Sequence, residues 1–241
     1  LRLWDFVNRR LIASFAQDGS NIGATYFFGQ GRSVLCGIVS HAAGFPRWAR
    51  AWSVGDRREI RLPAEALQNP KWAAGSPDNR TFALLGEDGT VSWWDLASGQ
   101  RMAQFKQHFS SVDGHLVFSP DGRTLAGCTK GGLVTLWDVA RRRALWTVRG
   151  NVRVLHGLEF THDGKRLLMG GEDPTDAVRL MDLASKRFVA RLPGPPDRYW
   201  FVGMSPDGNT LAAVGMEETA LLWHAPSWGE IAAAETEAEA R

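Results

Sequence analysis

The chain has 241 residues, of which 44% are hydrophobic, and its formal net charge is +2 at pH 7. The hydrophobic share is typical of a globular protein, and no apolar run approaches the ~18 residues that a membrane span needs. A charge this small argues against a nucleic-acid binder that relies on bulk charge. Cys36 and Cys128 fall in predicted strands and are interpreted as small buried residues, not as a disulfide. Because scarce cysteine suits a reducing compartment, we expect a cytoplasmic location.

The chain opens on Leu1-Arg2-Leu3-Trp4-Asp5, which alternates apolar and polar residues as a half-buried strand does. A second strand is predicted over residues 10–15. We interpret residues 1–16 as the last two strands of a unit whose first two strands are absent. This interpretation predicts that the sequence is part of a longer protein.

Five further units follow in order. The second unit carries the longest insertion, residues 40–47, which contains Phe45-Pro46 and ends beside Trp48. The fifth contains an enlarged turn around Asp173 and Asp176, whose residues lack the Gly and distal Glu of a calcium loop, so a solvated turn is expected. The units span about residues 24–67, 71–105, 118–148, 152–192 and 198–223.

One turn and one closing position recur through these units. In Ser119-Pro120-Asp121-Gly122, Pro presets φ, Asp bonds its own backbone and Gly accepts a positive φ, which is typical of a tight turn. The turn aspartates are separated by 43, 42 and 44 residues, a period that indicates a propeller or a solenoid. The turn aspartates are Asp78, Asp121, Asp163 and Asp207, and the closing position holds Trp4, Trp52, Trp94, Trp137, Met181 and Trp223.

The unit resembles the WD repeat, which has four strands and a closing Trp-Asp. Trp-Asp stands at residues 4–5, 94–95 and 137–138 and is degenerate in the other three units. The resemblance covers residues 1–224 and implies an all-β fold: a fragment of a WD-repeat β-propeller with about five four-stranded antiparallel blades plus a half blade. Residues 225–241 form a tail, in which Ser227 and Glu230 make a capping box that predicts a short helix.

No pattern in the chain predicts catalysis. The six histidines show no His-x-x-x-His spacing, there is no Cys-x-x-Cys, and no nucleophile or phosphate-binding motif is present. We therefore expect no enzymatic, cofactor or metal site. The resemblance implies a buried hydrogen-bonded set of His, Ser or Thr, Asp and Trp in each blade. The unit with His108 and Trp137 has Lys130-Gly131 in place of the Asp, so apolar packing must stabilise the array.

Two opposite faces are candidates for binding. The face with the blade-joining loops is expected to present aromatic and arginine side chains, the residue types that dominate interface hot spots; Trp200 is instead expected in a blade core. The other face collects arginine-rich turns, which would attract an acidic partner, although ordinary solvated turns are the favoured interpretation there. The predicted partner-binding residues are Phe45, Trp48, Trp72, Phe109, Arg153 and Tyr199. The arginine-rich turns contain residues 9–10, 57–58, 80, 101, 123, 141–143, 165–166 and 186–187.

The resemblance implies a non-enzymatic scaffold for a protein or peptide partner. Another domain of the same parent chain is one such partner. Residues 222–231 also resemble the close of propellers that end large bacterial multidomain proteins. The second interpretation is therefore a sensor or substrate-docking module that follows a bacterial Ser/Thr protein kinase or another enzyme. The third is a small-molecule binder that uses the central channel.

Overall fold

The structure is a computed structural model, and all structural statements concern the residues it describes. Among these there are 21 strands and no helix, so none of them forms a helix long and apolar enough to cross a membrane. The helix predicted after Ala225 lies outside the described residues. The described residues are 2–5, 7–14, 21–28, 31–39, 48–60, 62, 70–86, 88–106, 114–129, 131–149, 155–173, 175–217 and 219–225.

The strands pair with their neighbours in sequence to form antiparallel sheets. The first two make a ribbon, and the next twelve make three sheets of four strands. These strands are β1 Arg2–Asp5, β2 Arg10–Ser14, β3 Asn21–Phe28, β4 Ser33–Val39, β5 Trp48–Ser53, β6 Glu59–Ile60, β7 Pro70–Gly75, β8 Thr81–Gly86, β9 Thr90–Asp95, β10 Arg101–Lys106, β11 Gly114–Phe118, β12 Thr124–Thr129, β13 Leu133–Asp138 and β14 Arg143–Arg149.

The last seven strands form one more group of four and a final group of three. Two residue pairs, Glu172 with Arg198 and Asp173 with Asp197, connect these groups into one sheet. The all-β prediction with four-stranded antiparallel blades is thereby confirmed. The seven strands are β15 Leu155–Phe160, β16 Arg166–Asp173, β17 Asp176–Asp182, β18 Arg187–Pro193, β19 Asp197–Met204, β20 Thr210–Gly215 and β21 Ala220–His224.

The chain divides into two compact units, unit 1 with Leu1–Thr129 and Thr135–Trp146, and unit 2 with Lys130–Val134 and Thr147–Arg241. In unit 1, β9 is buried on both faces because its adjacent tryptophans enter different cores: Trp93 packs with Trp137, and Trp94 packs with Phe82. The Trp93 ring meets that of Trp137 edge to face, with 6.5 Å between centroids. This contact stabilises the packing beyond the area that it buries.

Unit 2 has its own core, built from strands of the last two groups. The buried residues of this core cluster are apolar apart from the hydroxyl of one tyrosine, and glycines allow the closest approach. A Cβ at Gly170 would lie 2.6 Å from a side-chain carbon of Val202, so only glycine fits there. The core residues are Leu168, Ala177, Val178, Tyr199, Val202 and Ala213.

The closing position of the repeat is buried in four units. Met181 and Trp137 are both 0% exposed, and Trp52 and Trp94 are close to that value. Trp4 differs, since it is 55% exposed. Its ribbon has only two strands, and the face opposite Trp4 packs on the core around Trp52. No described strand therefore covers Trp4.

Candidate interaction surfaces

The predicted aromatic surface is only partly described by the structure. Phe45, Phe109 and Arg153 lie outside the described residues. Trp48 begins β5, where its backbone pairs with that of Ile38. These four predictions therefore remain predictions.

Trp72 makes a contact between two neighbouring sheets of unit 1. Its indole N–H donates a hydrogen bond to the carbonyl of Leu116 (3.2 Å), and its ring stacks on His115 with 3.6 Å between centroids. Both partners lie on β11, whereas Trp72 lies on β7. Because the ring and the N–H are both engaged, this half-buried side chain has a structural role of its own.

The sequence pattern predicts that Tyr199 lies on the surface and Trp200 in the core, and the structure shows the reverse. Tyr199 is 0% exposed, its hydroxyl donates to the carbonyl of Pro195 (2.8 Å), and Trp200 is 43% exposed. The reason is a bulge in β19: Tyr199 pairs with Gly215 and Phe201 pairs with Val214, so Trp200 is an extra residue. Such a bulge shifts the alternation of inward and outward side chains by one. Tyr199 is therefore a core residue.

The last three strands of unit 2 expose an apolar face that the sequence pattern does not predict. Phe201 pairs with Val214, and these side chains are 53% and 43% exposed. On β21, which pairs with β20, Leu222 is 73% exposed. The sequence signal is weak because both alternating sets of residues in these strands are apolar. Within the described part of the chain, no segment covers this face.

The first turn has the predicted chemistry in four of the units, those with Asp78, Asp121, Asp163 and Asp207. In the turn before β12, the hydroxyl of Ser119 donates to Asp121 (2.6 Å), and the same carboxylate accepts the backbone N–H of Arg123 (3.0 Å). These bonds, first that of Ser119, lower the pKa of Asp121 despite partial burial. The same hydroxyl–carboxylate bond recurs at Asp78, Asp163 and Asp207.

In the turn between the third and fourth strands, four units have an arginine or lysine residue with an unusual backbone conformation. Arg9, Arg57, Arg142 and Lys186 have φ values of 50°, 60°, 53° and 57°. This left-handed region is disfavoured for residues with a Cβ. In the turn after β9 the same position is Gly99, with φ 67°.

The two turns are hydrogen-bonded to each other at the same end of each sheet. The backbone N–H of Leu96 donates to the carbonyl of Arg80 (2.8 Å), and that of Val139 donates to the carbonyl of Arg123 (2.9 Å). An equivalent bond joins Val54 to Arg32 and Leu183 to Lys165. The turns therefore form a repeated, backbone-fixed platform at one end of each sheet.

In unit 1 this platform carries six exposed guanidinium groups from two adjacent sheets, β7–β10 and β11–β14. The two sheet ends are continuous: Arg142 donates from Nη1 to the carbonyl of Met102 (3.1 Å), and a Cβ at Gly122 would lie 3.6 Å from Pro77. We call this end the arginine surface. It consists of Arg80, Arg101, Arg123, Arg141, Arg142 and Arg143, all exposed.

The aspartates at this surface are engaged by their own turns. The side chain and backbone N–H of Ser98 donate to Asp95 and lower the pKa of its carboxyl. The backbone N–H of Arg141 and then its guanidinium do the same for the pKa of Asp138. The Arg141–Asp138 ion pair has an N–O distance of 2.8 Å. The carboxylates are thus directed at turn N–H and O–H groups.

The described residues form no metal site. Among them, no group of three or more His, Cys, Asp or Glu could hold a metal ion. The Asp176 carboxylate, expected in a solvated turn, is only 10% exposed and pairs with Arg179 (2.9 Å). The free thiol of Cys128 is buried, which raises its pKa to about 12, so it is not a nucleophile at neutral pH.

Part of the chain matches a known family. The family model for the WD domain, G-beta repeat, matches residues 99–138, which begin in the turn before β10 and end with β13. We found no curated protein with significant similarity to the chain. The matched segment is one period of the pattern that the other four-stranded sheets repeat. Residues 99–138 therefore match a WD repeat, and the recurrence of four-stranded antiparallel sheets fits a WD-repeat β-propeller.

Proposed function

We propose that this chain is a non-enzymatic scaffold that binds a protein or peptide partner. Another domain of the same polypeptide is one such partner. WD repeats generally mediate protein–protein interaction. Assigning that role to this chain is a family analogy. The observation that carries the proposal is the turn platform, in which backbone hydrogen bonds fix exposed side chains in a repeated arrangement.

A fixed platform favours binding because association orders few additional groups. Flexible loops lose conformational entropy when they bind, whereas turns that are already bonded to each other lose little. The bonds from Leu96 to Arg80 and from Val139 to Arg123 supply this order in two adjacent sheets. Long exposed side chains on this fixed backbone then provide the contacts.

Site-specific photo-crosslinking in the source cells tests the proposal. A photoreactive residue replaces Arg123 on the arginine surface or, as a matched control, Val189, which is 53% exposed on β18. We expect a discrete crosslinked protein from position 123 and only diffuse background from position 189. The scaffold proposal is wrong if neither these positions nor a scan of the other exposed turn residues gives a discrete protein adduct.

A further inference from the structure

We propose that the arginine surface binds an acidic peptide segment, whose carboxylates pair with guanidinium groups from both adjacent sheets. The inference rests on the proposed scaffold function and specifies the chemistry of its partner. It concerns unit 1 alone, since all six arginines belong to that unit.

The cations of the arginine surface are all arginine and never lysine. A guanidinium group is planar, always charged at neutral pH and able to form two parallel hydrogen bonds with one carboxylate. Lysine would supply the same charge and solubility without this geometry. Guanidinium groups therefore suit a planar oxyanion as the ligand.

The surface is not neutralised by its own carboxylates. Its six arginines face four aspartates, and the aspartates accept hydrogen bonds within their turns, as Asp121 does from Ser119 and Arg123. Arg141 forms an ion pair with Asp138, and the Arg101 guanidinium lies over the Trp94 ring, 5.6 Å from its centroid. An incoming carboxylate therefore meets more guanidinium groups than carboxylates at this surface.

The backbone conformation does not require a cation at the left-handed position. Gly99 shows that glycine fits this position, and glycine adopts a positive φ without steric penalty. Arg142, Arg57 and Arg9 hold the strained conformation in the equivalent turns of unit 1. The strained backbone is unfavourable for stability, and at Arg142 the guanidinium offsets it with the hydrogen bond to Met102. A strained residue is also expected where a side chain serves binding.

An acidic peptide fits this surface better than a nucleic acid does. Aspartates such as Asp78 and Asp121 alternate with the arginines, so cations occur at intervals along the platform. A nucleic acid places a negative charge at every ~1.7 Å of duplex and would meet these aspartates repeatedly. A peptide with spaced carboxylates can place its neutral residues over them.

Fluorescence anisotropy with the intact chain provides the test. The probes are a labelled ten-residue poly-Glu peptide, a poly-Lys peptide of the same length and a ten-nucleotide single-stranded DNA. The surface variant is Arg80→Glu, Arg123→Glu and Arg143→Glu together, which spares the ion pair and the inter-sheet bond. The matched control is Arg149→Glu, an exposed arginine at the other end of the strand that begins with Arg143.

We expect poly-Glu to bind the wild-type chain, to bind the triple variant at least tenfold more weakly, and to be nearly unaffected by Arg149→Glu. Poly-Lys should not bind the wild type. The inference is wrong if the control variant loses as much affinity per charge as the triple variant, or if the triple variant binds poly-Glu unchanged. It is also wrong if poly-Glu does not bind the wild-type chain, or if the DNA binds more tightly than poly-Glu. Crosslinking of a protein from other exposed turns would still support the scaffold proposal in those cases, so the two failures are distinguishable.

Discussion

Glu159 should make the stability of unit 2 depend on pH. This residue lies on β15, and its Oε2 would lie 3.4 Å from a Cβ placed at Gly203 on β19. Burial raises the pKa of the Glu159 carboxyl from 4.5 to about 7, while the backbone N–H of Met204 acts in the opposite direction. The folded protein therefore holds this proton more tightly than the unfolded chain does.

The sign and size of the effect follow from this difference. Glu159 favours folding most below about pH 4.5, and the contribution is lost as the pH rises through about 7. At ~1.4 kcal/mol per pKa unit, the shift from 4.5 to about 7 corresponds to about 3 kcal/mol. Glu159→Gln cannot ionise, so this variant should be about 3 kcal/mol more stable than the wild type at pH 8, and about equally stable at pH 4.

Urea unfolding of both proteins at pH 4, 6 and 8 measures the difference. With a slope of about 2 kcal/mol per molar urea, the midpoints should differ by ~1.5 M at pH 8. Glu217→Gln is the matched control, since Glu217 is exposed in the same unit, and it should show no such pH-dependent difference. A midpoint difference for Glu159→Gln that is the same at pH 4 and pH 8 would refute a buried, protonated Glu159.

Three further predictions concern stability and can be measured by thermal or urea unfolding. Met181→Asp should cost about 3–5 kcal/mol, because it places an unpaired charge at a 0% exposed position, whereas Met216→Asp, at 54% exposure, should cost less than ~0.5 kcal/mol; equal midpoints for the two would contradict this. Trp94→Phe should cost about 1 kcal/mol more than Trp137→Phe. The reason is that the indole N–H of Trp94 donates to the hydroxyl of Ser92 (2.9 Å), whereas the buried N–H of Trp137 has no acceptor among the described residues. The opposite order of the two costs would count against the assigned bonds. Arg57→Gly should leave the midpoint unchanged or raise stability by up to ~1 kcal/mol, because it relieves a φ of 60°, and a clearly lower midpoint would show that this turn is not strained.

The sequence predicts those features that depend on local chemistry. The bonds around Asp121 use groups within five residues of one another, and Gly122 takes the expected positive φ of 69°. In the third unit Asn79 fills the same position, with φ 63°, as an asparagine can. Repetition of this local chemistry is what made the blade pattern visible.

Features that depend on pairing between strands were not predictable in the same way. Tyr199 is buried and Trp200 exposed, the reverse of the prediction, because a bulge in β19 shifts the register. No residue type in that strand predicts a bulge. Trp4 is exposed because its ribbon has only two strands, whereas the same residue type at position 137 is fully buried. The left-handed conformation of Arg57 is likewise invisible in the sequence, since arginine gives no signal for a positive φ.

The bonded turns also set a spacing. Arg80 precedes the second strand of its sheet and Arg101 begins the fourth, and Arg123 and Arg143 hold the same places in the next sheet. Two strand separations amount to about 10 Å, and an extended peptide advances ~3.3 Å per residue. Carboxylates on every third residue of an extended ligand would thus coincide with the arginines of one sheet. Selectivity at such a surface would come from the interval between acidic residues, and a ligand with the same charge at another interval would bind less well.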